Sequence, residues 1–241
     1  MTHPVTERPA GAPAGYRLKF PHSWWHLDLD PSTRDASIRR KIEAQVKSAP
    51  QLTREQVDDL IRNTRRTARD AHAQGALQAS GMLRILNSGN GAVVLSATTI
   101  VLRVSVPEEQ SEDLADLIVA AGIQVGTDAE GSGLPPGEVE LLELPLVGAV
   151  GRITRIEEVE LKGKRIPTAM RHTLIPVPNS RDYLVLASST TNVNLAEQFY
   201  EVFDAIAESF HFDDLAGTPG TADPAAEASG GGPMGPEHNG K

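Results

Sequence analysis

Two stretches of the chain, 77–106 and 138–190, alternate apolar and polar residues with a period of two, and short turns break each into runs. A period of two is the mark of a half-buried strand. Strands joined by a few residues can only pair antiparallel, because a parallel pairing needs a crossover of a dozen residues or more. The runs are Leu77–Leu86 and Val93–Val106 around the Asn87-Ser-Gly-Asn-Gly91 turn, then Glu138–Leu146, Gly148–Leu161, Arg165–Val177 and Tyr183–Thr190. Gly163 and Pro178-Asn179-Ser180 supply two of the later turns. A mostly antiparallel sheet is therefore the expected centre of the molecule.

Helical periodicity surrounds these runs. Asp30-Pro31-Ser32-Thr33 reads as a helix start, with a capping carboxylate and a proline at the first helical position. Ile38, Ile42 and Val46 then recur at a spacing of four on one face, and Pro50 ends the helix. Thr53 and Gln56 form a capping-box pattern for a second helix, with Val57, Leu60, Ile61, Thr64 and Ala68 inward and Gly75 as its stop. A third helix is expected from Pro107 to about Ala121, with a 126–137 loop after it. A fourth, from Asn194 to Ser209, carries Leu195, Phe199, Val202, Phe203, Ile206 and Phe210 as its apolar stripe. Two short strands, Tyr16–Phe20 and Trp24–Leu29, precede the first helix. The predicted order is β-β-α-α-β-β-α-β-β-β-β-α: an α+β domain in which one sheet is flanked by helices. It spans 15–213, with the helical pair of 31–74 inserted between the second and third strands. The arm 1–14 and the Gly/Pro/Ala-rich tail 214–241 hold too little apolar surface to offset the entropy of ordering, and both are expected to be disordered.

Several function classes fall away at this point. The chain has no cysteine, which excludes disulfides, iron–sulfur clusters, thiolate zinc sites and cysteine nucleophiles. The first 30 residues hold no apolar signal core, and no apolar run approaches the length of a membrane span; a cytoplasmic location is the expectation. A net charge of −9 opposes general nucleic-acid binding. That charge is unevenly spread. The helical pair is net basic, whereas 107–146 contains no Lys or Arg and ten acidic residues, among them Glu108, Asp116, Glu138, Glu140 and Glu143.

Two segments carry a resemblance. Tyr16-Arg-Leu-Lys-Phe20-Pro-His-Ser-Trp24 and the closing Asn194–Phe199 and Phe203–Phe212 segments resemble the ends of PsbP-like α/β/α sandwich domains. Pro21–Ile38 is similar to the opening of uncharacterised actinobacterial proteins, some encoded near type VII secretion components. The resemblance implies a binding or assembly module and brings no catalytic residue.

The constellations for chemistry are sparse. His22, His26 and Asp28 alternate along an extended segment, where residues four apart are separated by about 13 Å, too far to share a metal. The glycine-rich pieces at 88–91 and 126–133 lack phosphate-loop spacing, and no nucleophile elbow is present, so no cofactor, metal or catalytic set is expected. His72 and His172 read as surface or satisfied histidines. The strongest candidate is the stripe Arg62, Arg65, Arg66 and Arg69, whose spacing puts four guanidinium groups on one helix face; its competing reading is a solvated face partly neutralised by Asp58, Asp59 and Asp70. Guanidinium groups suit carboxylates and phosphates. With Trp24 and Trp25 this stripe forms the candidate interaction face. The expected function is a non-enzymatic protein-interaction or assembly module, an accessory of a secretion or envelope system. Its partner is an acidic protein or a second copy's 108–116 helix. The alternative is a binder of an anionic small molecule, or an enzyme without a familiar signature.

Overall fold

The computed structural model describes residues 15–47, 51–88, 91–109, 137–161 and 163–213, together with Pro13, Leu114 and Asp116. The two ends, the 126–136 loop and most of the helix expected after Pro107 lie outside the described residues; Leu114 and Asp116 are helical.

The elements are β1 (Tyr16–Arg17), β2 (Trp24–His26), α1 (Arg34–Val46), α2 (Arg54–Ala73), β3 (Gln78–Ser88) and β4 (Gly91–Ser105). After them come β5 (Glu138–Leu144), β6 (Gly148–Leu161), β7 (Lys164–Pro176), β8 (Asp182–Thr190), α3 (Ala196–Glu208) and β9 (His211–Phe212). Seven strands form one antiparallel sheet in the order β2-β3-β4-β8-β7-β6-β5. The two hairpin systems expected from the alternation are joined by the β4–β8 pairing, from Ala97 opposite Thr190 to Ser105 opposite Asp182. At the β7–β8 turn Asn179 takes φ 56, a left-handed conformation that asparagine tolerates better than most residues.

Alternation sorts the side chains onto two faces. Trp25, Leu27, Ala79 and Leu83 point to the face covered by α1 and α2, where Ile38, Ile42, Ile61 and Ala68 meet them. Their immediate neighbours Trp24 and Met82 point the other way, into the layer under α3, with Ala97, Ala169, Phe199 and Phe203. Farther along α3, Ala207 and Phe210 close over Leu144, Val150, Ile175, Leu184 and Leu186. The result is an α+β sandwich with helices on both faces of the sheet.

Two expectations are corrected. The first strand does not join the main sheet. β1 pairs with β9 as a separate two-stranded ribbon, Tyr16 opposite Phe212 and Arg17 opposite His211. The chain turns at Pro21, whose carbonyl accepts the Trp24 N–H at 2.9 Å, so the segment before the turn cannot continue the β2 line. Tyr16 stacks on Phe210 (5.6 Å) and Phe210 meets Phe212 edge-on (5.0 Å), which holds the ribbon to the core. Second, α1 starts at Arg34 and not at Pro31. The Ser32 N–H and hydroxyl both donate to Asp30 at 2.7 Å, bonds that lower its pKa. The Asp30 carbonyl accepts the Thr33 and Arg34 N–H groups at 3.2 and 2.8 Å, so 31–33 form a turn that leads into the regular helix. α2 keeps its expected capping box, Gln56 N–H to Thr53 Oγ1 at 3.2 Å and Thr53 N–H to Gln56 Oε1 at 2.8 Å. It stops at Gly75, φ 74.

Candidate functional site

The outward faces of α1 and α2 enclose an open concavity of about 450 Å³ lined by Asp35, Arg39, Asp58, Ile61, Arg62, Arg65 and Arg69. The α2 residues recur at helical spacing, and Asp35 and Arg39 are one turn apart on α1. Four guanidinium groups and two carboxylates leave the cleft net positive.

Each arginine is engaged differently. Arg65 joins the helices: its Nε and Nη2 both donate to the Asp35 main-chain oxygen, at 3.2 and 2.6 Å. It is also the least available, its side chain 24% exposed against 56% for Arg62. Arg62 pairs with Asp59 one turn back, and Arg39 with Glu43 at 3.4 Å. Such exposed pairs are weak and exchange readily for a better acceptor. Arg69 has no hydrogen bond or ion pair among the described residues.

The residues expected to form one face are thus partly separated. Arg62, Arg65 and Arg69 share the cleft, while Arg66 pairs with Asp70 at 3.6 Å outside its lining. Neither tryptophan lines it. Trp24 lies on the opposite face of the sheet, edge-on to Phe203 at 6.4 Å. Trp25 packs under α1, with Lys41 Nζ 5.0 Å above its ring, and the same ammonium donates to the His26 carbonyl at 2.7 Å. Arg39 comes from the other helix, and the stripe periodicity of α2 contains no signal for it.

A second polar cluster has no counterpart in the sequence reading. Asp204 of α3 faces Arg171 Nη1 at 2.6 Å and Arg152 Nη2 at 3.1 Å. Arg171 also lies over the Tyr200 ring at 4.2 Å and donates from Nε to Thr154 Oγ1 at 3.1 Å, while Glu140 sits 3.6 Å from Arg152. Burial raises the Tyr200 pKa, with Arg171 opposing. Two cations meet two carboxylates here, so the cluster is internally balanced and fastens α3 to β6 and β7. Among the described residues no three His, Asp or Glu side chains converge on a metal-sized site.

His172 points to the opposite face of β7 from Arg171. Burial, and secondarily the Arg155 guanidinium, push its pKa down to about 4. The folded protein therefore holds this imidazole neutral where the unfolded chain would protonate it. Its contribution to stability is full above about pH 6.5 and is lost as pH falls through 4, roughly 2 kcal/mol after allowing for its remaining exposure. Urea unfolding across that window should show the loss in the wild type and a flatter profile in His172→Asn. Superimposable profiles would contradict this assignment.

The fold and cleft define an antiparallel α+β sandwich carrying a basic helical pair on one face. No known family model matches the chain, and no curated protein matches it in sequence. Among solved structures, Mycobacterium tuberculosis LpqN, described as involved in cell envelope biogenesis, aligns over 85% of this chain and 86% of its own. The TM-score is 0.40 and the identity 12%, a likeness too distant to carry an argument. No helix among the described residues is long and apolar enough to cross a membrane.

Proposed function

We propose that the protein is a non-enzymatic docking module that receives an acidic protein segment in the α1–α2 cleft. One observation carries this reading: four arginines from two helices converge on one open concavity, and Arg69 has no partner there among the described residues. Guanidinium groups pair with carboxylates in a planar, two-bond geometry, which gives orientation as well as attraction. The volume falls in the range of small-molecule pockets, but such pockets are mostly apolar and enclosed. Here Ile61 is the one apolar lining residue, and the cleft is open, as suits an extended partner. Pro21–Ile38 resembles the opening of actinobacterial proteins, some of them encoded near type VII secretion components, and that resemblance is in line with an accessory role in a secretion or envelope system.

A fluorescent oligoglutamate peptide tests the reading by anisotropy at low salt. Arg62→Glu with Arg69→Glu should weaken binding at least about tenfold, the equivalent of losing one or two charge-assisted contacts. Arg65 is left in place because it joins the helices. Lys164→Glu with Arg165→Glu changes the net charge equally on an exposed hairpin outside the cleft, and should have little effect. Equal losses in the two variants would reduce the effect to bulk charge and overturn the proposal.

A further inference from the structure

We infer that the acidic segment is supplied by a second copy of this chain, through its edge strand β5; this rests on the docking reading above. β5 is the last strand of the sheet and pairs only with β6 among the described residues. It carries Glu138, Glu140 and Glu143 exposed; alternation puts Glu138 and Glu140 on one face and Glu143 on the other beside Leu141, itself 57% exposed. Glu140 lies beside Arg152, whereas Glu138 and Glu143 have no hydrogen bond or ion pair among the described residues. No Lys or Arg occurs anywhere from 107 to 146.

The cleft offers the converse: guanidinium groups from two helices, on arginine stems that are themselves apolar, above a buried Ile61. Carboxylates along an exposed sheet edge thus meet guanidinium groups along an open cleft. The two surfaces cannot meet within one molecule. The helical pair packs over β2 and β3, and β5 lies at the far edge, five strand spacings from β3, or about 24 Å. A contact between unlike surfaces is heterologous, so it propagates head to tail unless the rotation closes a ring. It should also weaken with salt, because exposed charges are screened.

Sedimentation velocity on the full chain reads this directly. At low ionic strength the sedimentation coefficient should rise with concentration, and at molar salt it should not. Arg62→Glu/Arg69→Glu and Glu138→Lys/Glu143→Lys should each sediment as monomers alone. An equimolar mixture of the two should associate, since each reversed surface then faces its complement, and misfolded variants would not recover in this way. A wild type that stays monomeric while still binding oligoglutamate overturns the second-copy inference and leaves the docking reading standing. Failure to bind oligoglutamate removes both. Self-association that survives the arginine reversal puts the contact elsewhere, such as β5 pairing edge to edge, and also overturns it.

Discussion

Asp204→Ala is expected to destabilise the protein by about 3 kcal/mol, at the lower end for breaking a buried ion pair because the cluster keeps some solvent contact. The Arg171 and Arg152 side chains are 12% and 16% exposed, and the Asp204 carboxylate lies within ion-pair distance of both. Removing it leaves two cations largely out of water with only Glu140 nearby. The cost comes from stranding those cations more than from losing the attraction itself. That distinction can be checked. Replacing all three together, with Asp204→Leu, Arg171→Met and Arg152→Met, should cost far less than Asp204→Ala alone, because no stranded charge remains. Urea denaturation of the two variants decides the matter. A single variant within about 1 kcal/mol of wild type would show that the cluster is an ordinary exposed ion pair.

Phe210→Ala should cost as much or more, about 3–4 kcal/mol, the usual penalty for emptying a fully buried aromatic site. Phe210 has no exposure and lies between the end of α3 and the terminal ribbon, touching Tyr16 and Phe212 with its ring. The β1–β9 ribbon has only two residue pairs, so its order depends on this ring as much as on its hydrogen bonds. The midpoint of thermal unfolding should fall by roughly 10 °C, at 2–4 °C per kcal/mol for a domain of this size. Amide exchange should rise most at Tyr16 and Arg17. A uniform rise across the sheet, with no excess at the ribbon, would contradict this role.

Local features were the most legible in the sequence. Thr53 and Gln56 are three residues apart, and the capping box they form depends on nothing distant. The alternation in 77–106 and 138–190 set the strands and their antiparallel sense, since side-chain direction follows from period alone. The start of α1 lies three residues later than the Asp30-Pro31 signal because 31–33 form a turn on the Asp30 carbonyl before the regular helix begins. Tyr16 read as a main-sheet strand residue because its true partner, Phe212, lies 196 positions away. Half of the candidate face was legible for the same reason. Arg62, Arg65 and Arg69 share one helix, so spacing brings them together. Arg39 joins them only through the packing of α1 on α2. The same packing hides Trp25 beneath Lys41, and alternation along β2 turns Trp24 to the other layer. The Asp204 cluster needs the β6–β7 register and the docking of α3 together, and neither is written in any short segment.

The central claim is that the α1–α2 cleft receives carboxylates. Arginine side-chain NMR on the full chain, titrated with oligoglutamate, tests it at the groups concerned. The Nε–H signals of Arg39, Arg62 and Arg69 are predicted to shift together and to saturate, with those of Arg165 and Arg103 unmoved. Shifts spread evenly over all arginines, or none at all, would contradict the claim.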